Sequence, residues 1–126
     1  MKKLIVILLV LISFVGYSQK HYIIYKVRSG PFDGNTRKFD LKERFTTMEL
    51  VMYKDTMYVS DSARSKYAIK DTTLEQNNSN LVVVSHKAVD EKNRNCVIFT
   101  RTSKVTENNS IIVVYNNYVL QYFVTQ

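Results

Sequence analysis

The sequence predicts an all-β chain: a single antiparallel domain, either a sandwich or a small barrel of about eight strands, following a signal peptide. Three observations carry that prediction. Beyond residue 18 the chain is rich in Val, Ile, Thr and Tyr, the side chains that suit a pleated, half-buried surface, and it holds only two glycines, one proline and no tryptophan. Short apolar alternations are separated by Asp-, Asn- and Ser-containing turns. No segment after residue 20 sustains a helical period; the best candidate, Lys38 to Phe45, is long enough for one or two turns or for the lead-in to a strand.

The opening residues have the anatomy of an export signal. Lys2 and Lys3 precede an unbroken apolar run from Leu4 to Ile12, and the small residues Gly16 and Ser18 stand at the −3 and −1 positions of a cleavage site after Ser18. The apolar run is short for a membrane span, which needs roughly 20 apolar residues, so no span is expected in the mature form. No cysteine stands at the cleavage point, the single cysteine lying far from it, and in style the segment resembles bacterial secretory signals. These features predict a periplasmic or secreted protein, with residues 1–18 removed and residues 19–126 forming one all-β domain. Removing Lys2 and Lys3 from a chain of net charge +7 leaves about +5. The remaining basic residues are scattered rather than run together, which argues against a nucleic-acid arm.

The first strand is expected over His21–Arg28, with His21, Ile23, Tyr25 and Val27 on its apolar face. Gly30, Pro31, Gly34 and Asn35 then mark a break. The clearest hairpin follows. A two-residue turn at Lys54-Asp55 sets Met52 against Met57 and Leu50 against Val59. It gathers Met48, Leu50, Met52, Met57 and Val59 on one face, a separation that a one-residue slip would destroy. After the turn at Asp61–Ser65 comes a short strand, Lys66–Lys70, with Tyr67 and Ile69 inward. The polar stretch Asp71–Asn80 reads as a mobile loop. Leu81–Val89 and Cys96–Arg101 form the next hairpin, with two registers open: one opposes Val89 to Cys96, the other Asp90 to Cys96. The last hairpin turns at Asn116-Asn117, where Asn tolerates positive φ. It opposes Tyr115 to Tyr118, Val113 to Leu120 and Ile111 to Tyr122.

The chemistry legible in the sequence is sparse. Cys96, the single cysteine, lies in the apolar segment Cys96-Val97-Ile98-Phe99 and reads as a small core hydrophobe. In one register His86 points away from it, and in the other the two stand two cross-strand steps apart, so neither builds a thiolate–imidazolium pair. The histidines His21 and His86 have no metal-ligand spacing, and the carboxylates fall mostly in turns. No catalytic residue, metal site or cofactor is predicted.

Three turns, Asp55-Thr56-Met57, Asp61-Ser62-Ala63 and Asp71-Thr72-Thr73, resemble the acceptor of a general O-glycosylation system that acts on exported proteins of some Gram-negative bacteria. The resemblance implies Thr56, Ser62 and Thr72 as acceptors, although Asp-Ser/Thr pairs also arise from turn hydrogen bonding alone. The functional expectation is an exported, non-enzymatic β-domain, a binding or structural module of the bacterial cell envelope, with an envelope component or a small apolar ligand as partner and no nucleic acid. The alternative is a lipocalin-like barrel whose apolar ligand lies among Met48, Met52, Met57, Tyr115, Tyr118 and Tyr122.

Overall fold

A computed structural model describes residues 20–33, 38–61, 64–106 and 109–125. The expected signal segment lies outside these residues, as do Gly34, Asn35, Ser62 and Asn108. The described chain is all-β: β1 (Lys20–Asp33), β2 (Lys38–Phe39), β3 (Lys42–Met52), β4 (Thr56–Val59), β5 (Lys66–Asn77), β6 (Leu81–Asp90), β7 (Asn95–Ser103), β8 (Asn109–Val114) and β9 (Tyr118–Thr125). Every pairing is antiparallel. Apart from the two-residue β2, which pairs only with the end of β1, each strand pairs with its neighbours along the chain, and β1 also pairs with β9. Eight strands therefore close into a ring, which decides for a barrel over a sandwich and leaves no sheet edge along most of its length.

The two hairpins with two-residue turns keep the predicted register. Leu50 opposes Val59, and Met52 opposes Met57. Ile111 opposes Tyr122, and Val113 opposes Leu120. In both cases an amide at the turn, Tyr53 N or Tyr115 N, donates to the carbonyl that closes it. The inner faces meet in a packed midsection where Ile24, Leu50, Met57, Ile98, Ile111 and Val113 have no exposure. Full burial of such side chains contributes about 1.5–3 kcal/mol each. The surface ion pairs, Lys26–Glu43 at 2.9 Å among them, are worth roughly 0–1 kcal/mol each. The interior, not the surface charge, holds the ring together.

Four expectations are corrected. The first concerns β1, which runs 14 residues and passes through Gly30 and Pro31 instead of stopping before them. Gly30 is required there because the carbonyl of Asp40 occupies the space a Cβ would fill. The inward residues of β1 are Tyr22 and Ile24, and only after a ladder irregularity between Ile24 and Lys26 does the phase change to Val27. Ile23 and Tyr25, expected inside, are 49% and 37% exposed. Second, Lys38–Phe45 contains no helical turn; it supplies β2 and the start of β3. Third, Asp71–Asn77 is strand rather than loop. It pairs with Val82–Lys87 although every residue of it is exposed. Backbone pairing with β6 holds it, so no apolar alternation marks it in the sequence. Fourth, β6 and β7 adopt neither expected register: Ala88 opposes Cys96 and His86 opposes Ile98.

The last difference comes from the turn. Asp90 N donates to Arg94 O, Asn93 N donates to Asp90 O, and Asn93 sits at φ 63°. Asp90 and Arg94 form the closing pair, so the turn itself is the three residues Glu91, Lys92 and Asn93. Its left-handed position falls to Asn, which tolerates that region better than other non-glycine residues.

Candidate functional site

The two ends of the barrel differ. One end carries the β3–β4 turn, the start of β1 and the far part of the β5–β6 hairpin. β4 has only four residues, and the bond from Ile69 N to Asp55 O is the last one on that side of β5. Beyond it, Asp71–Asn77 pairs with β6 alone among the described residues. The wall is therefore incomplete, and an open cavity of about 760 Å³ enters between the β3–β4 turn and β5.

A ladder irregularity between Ile69 and Asp71 sets the chemistry of this cavity. Ile69 faces inward opposite Ala88; with Lys70 as the extra residue, Thr72 then falls directly opposite His86. Without that bulge the side chain three positions after Ile69 would face outward. His86, 9% exposed, lies between two hydroxyls: Thr72 Oγ1 is 2.9 Å from Nδ1 and Thr100 Oγ1 is 3.3 Å from Nε2. Burial, and then the charge of Lys20, hold its pKa below the ordinary imidazole range, so the ring is neutral at neutral pH. One ring nitrogen then donates and the other accepts, and the two threonines take the complementary roles. Around this polar floor stand Tyr22, Met52, Ile69 and Val84, and the rim carries Lys20, Lys54 and Lys70 with Asp55 and Asp71.

The opposite end is sealed in the sense that its buried carboxylate is fully engaged, and it holds a smaller cavity of about 360 Å³ lined by Tyr67, Asp90, Arg94, Tyr115 and Tyr118 among others. The Asp90 carboxylate, its side chain 6% exposed, accepts from Lys92 N (3.0 Å), Arg94 N (2.9 Å), Arg94 Nε (2.8 Å) and the Tyr115 hydroxyl (2.9 Å). Burial alone would raise its pKa. The bonds from Arg94 and Tyr115 and the guanidinium charge outweigh it, and the net displacement is downward. The Arg94 guanidinium also lies 5.1 Å from the Tyr115 ring centre. Tyr67, buried, lines the same end, and Tyr122 is buried in the core. Burial, first, drives all three phenols above the ordinary tyrosine range. The Asp90 carboxylate is already engaged by an arginine and a phenol, so it is not a free base.

Cys96 lies under that end, 6% exposed and packed in the core. Burial, then the neighbouring Asp90, push its thiol up to about 11. The observed register puts His86 on the same inner face as Cys96. The imidazole is nonetheless engaged by its two threonines, and no bond joins it to the sulfur. Among the described residues no group of three or more His, Cys, Asp or Glu side chains could hold a metal ion, and no helix is long and apolar enough to cross a membrane.

Of the six residues proposed from sequence as ligand-facing or core, Met52, Met57 and Tyr122 belong to the core cluster and Met48 and Tyr115 pack against it. Tyr115 belongs to the sealed end, and Tyr118 lies beside it, 39% exposed. Met52 alone of the six lines the open cavity. Of the glycan-acceptor candidates, the Thr72 hydroxyl is held by His86, the Thr56 hydroxyl donates to Asp55 Oδ1 at 3.3 Å, and Ser62 lies outside the described residues. Sequence reasoning missed Thr72 and Thr100 as partners of His86, because the strand bearing Thr72 was read as loop.

Comparison with known proteins gave no matching family model, no matching curated protein and no matching solved structure.

Proposed function

We propose that this chain is an exported, non-enzymatic carrier or binding barrel of a bacterial cell envelope, and that it holds a small amphipathic ligand in its open end. Export rests on the Lys2-Lys3, Leu4–Ile12 and Gly16–Ser18 pattern of the first 18 residues. The observation that carries the binding reading is the open cavity of about 760 Å³ at one mouth of an eight-strand ring, walled by Tyr22, Met52, Ile69 and Val84. Barrels of this strand number either fill with side chains or hold one small ligand. Here the midsection is filled and the mouth is not. A cavity with apolar walls and a few polar groups is the usual form of a small-molecule site.

The test is titration of the mature chain with N-phenyl-1-naphthylamine, a neutral fluorophore that brightens in apolar sites. The expected result is saturable one-to-one binding that is lost in Ile69→Asp, with circular dichroism confirming that the variant keeps its β signal. Absence of saturable binding to the unmodified chain would sink the proposal.

A further inference from the structure

The cavity walls say that something apolar fits; the distribution of polar groups says which end of it is polar, and with which sign. No buried side-chain nitrogen or oxygen among the described residues lacks a hydrogen-bond partner. At the cavity floor both ring nitrogens of His86 are taken by Thr72 and Thr100. The floor therefore has no buried polar group waiting for a ligand atom. The rim is different. Lys20, Lys54 and Lys70 border the cavity, yet among the described residues the only ion pairs are Lys26–Glu43, Arg28–Glu43 and Arg94–Asp90. The two rim carboxylates turn toward their own chain neighbours: Asp71 Oδ1 accepts from Thr72 N at 2.9 Å, and Asp55 Oδ1 from the Thr56 hydroxyl.

Two further features bound the ligand. Leu50, Met57 and Ile98 are fully enclosed, so nothing can thread the barrel, and the occupant is confined to the mouth. Leu74, 58% exposed, stands directly opposite Val84 and continues the apolar wall outward past the rim. Field direction agrees with the rim charges, since the Lys20 ammonium is felt as far down as the His86 ring.

We infer that the occupant is a compact anionic amphiphile, a short-chain carboxylate or a similar single-headed anion. Its head sits among Lys20, Lys54 and Lys70, and its apolar body covers Ile69, Val84 and Leu74. This assignment rests on the carrier reading above. Three exposed ammonium groups against the two rim carboxylates leave the rim one charge positive, which favours an anion by charge, and by little in water alone. The gain grows as the bound chain excludes solvent from the rim.

Calorimetric titration of the mature chain with octanoate, octanol and octylammonium separates the two claims. The expected order is octanoate tightest and octylammonium weakest, with octanoate about tenfold tighter than octanol at low ionic strength and the gap closing as salt screens the rim. In the triple variant Lys20→Gln/Lys54→Gln/Lys70→Gln, octanoate should fall to the affinity of octanol while octanol is unchanged. The replaced side chains are exposed, and an unchanged Tm would show that the fold is kept. If octanol and octanoate bind equally to the unmodified chain, the anion assignment is overturned and the carrier reading stands. If none of the three binds, both are overturned. Association with phosphatidylglycerol vesicles in the absence of any saturable octanoate binding would move the anion from a free ligand to a lipid surface and overturn the assignment as stated.

Discussion

The two ends of this barrel solve the same problem in opposite ways. Closing a sheet into a ring removes its edges but leaves two mouths where core meets water. At the sealed mouth, one nearly buried carboxylate collects four donors, the Tyr115 hydroxyl among them. At the open mouth, β4 stops after four residues and β5 runs on paired with β6 only, so the interior reaches solvent across apolar walls. The Asp90 carboxylate on the sealed side is structural because its bonds are spent on other protein groups. On the open side the floor is spent and the rim is not. The difference locates function better than any single residue does: a binding surface is where the protein leaves interactions unmade.

The largest expected effect tests that division directly. Asp90→Ala removes the acceptor of two backbone amides, a guanidinium and a phenol in one step, and it strands the Tyr115 hydroxyl beside buried neighbours. Charged hydrogen bonds of this kind are costly to break on one side. A loss of about 3 kcal/mol is expected in urea denaturation. Asp71→Ala, at the open rim, removes one exposed turn bond and should cost under about 0.5 kcal/mol. Equal losses for the two aspartates would erase the distinction between a sealed and an open end.

That same turn explains how far the fold could be read from the sequence. The β3–β4 and β8–β9 registers were legible because two-residue turns pin pairing and because a slip would scatter the Met48–Val59 face. The β6–β7 register was not. Its three-residue turn depends on the Asp90 side chain and on Asn93 at positive φ, and neither announces its length in the letters Asp90-Glu91-Lys92-Asn93-Arg94-Asn95. The phase of β1 was hidden for a different reason: Tyr22-Ile23-Ile24-Tyr25 is apolar throughout, so alternation cannot choose a face. Thr72 stayed hidden because two things outside the local sequence place it, the partner strand β6 and the bulge after Ile69. The rim lysines lie far apart in the chain among ordinary surface charges, and only closure of the ring brings them to one mouth. A middle-sized effect checks the turn argument. Asn93→Ala, which puts a Cβ-bearing residue without Asn's local hydrogen bonding into the left-handed region, should cost roughly 1 kcal/mol. Asn93→Gly should cost less. An Ala variant as stable as the parent would mean that positive φ at this position is not what sets the register.

The smallest expected effect separates the ends by pH. Burial and the nearby Lys20 depress the folded-state pKa of His86, so as pH falls through the ordinary imidazole range, about 6.5, the unfolded chain takes up its proton first. Stability from neutral His86 is therefore fully present above that value. It declines as pH drops toward the folded-state pKa and then levels. Asp90 runs the other way in origin and lower in pH. Its folded pKa lies below the usual carboxylate value, so its contribution is present above about 4 and is lost as pH falls through the folded value. Glu43, held down by the Lys26 bond, titrates in that same lower window. Urea midpoints measured from pH 8 to pH 3 should thus show two separated declines. His86→Gln should flatten the upper one and leave the lower, and Asp90→Asn should do the reverse. Retention of the upper decline in His86→Gln would assign it to another group and remove the open mouth as the acid-sensitive end. If instead the decline disappears and octanoate affinity is unchanged at pH 8, the imidazole is confirmed as a floor held by its threonines, and the ligand's charge is left to the lysines of the rim.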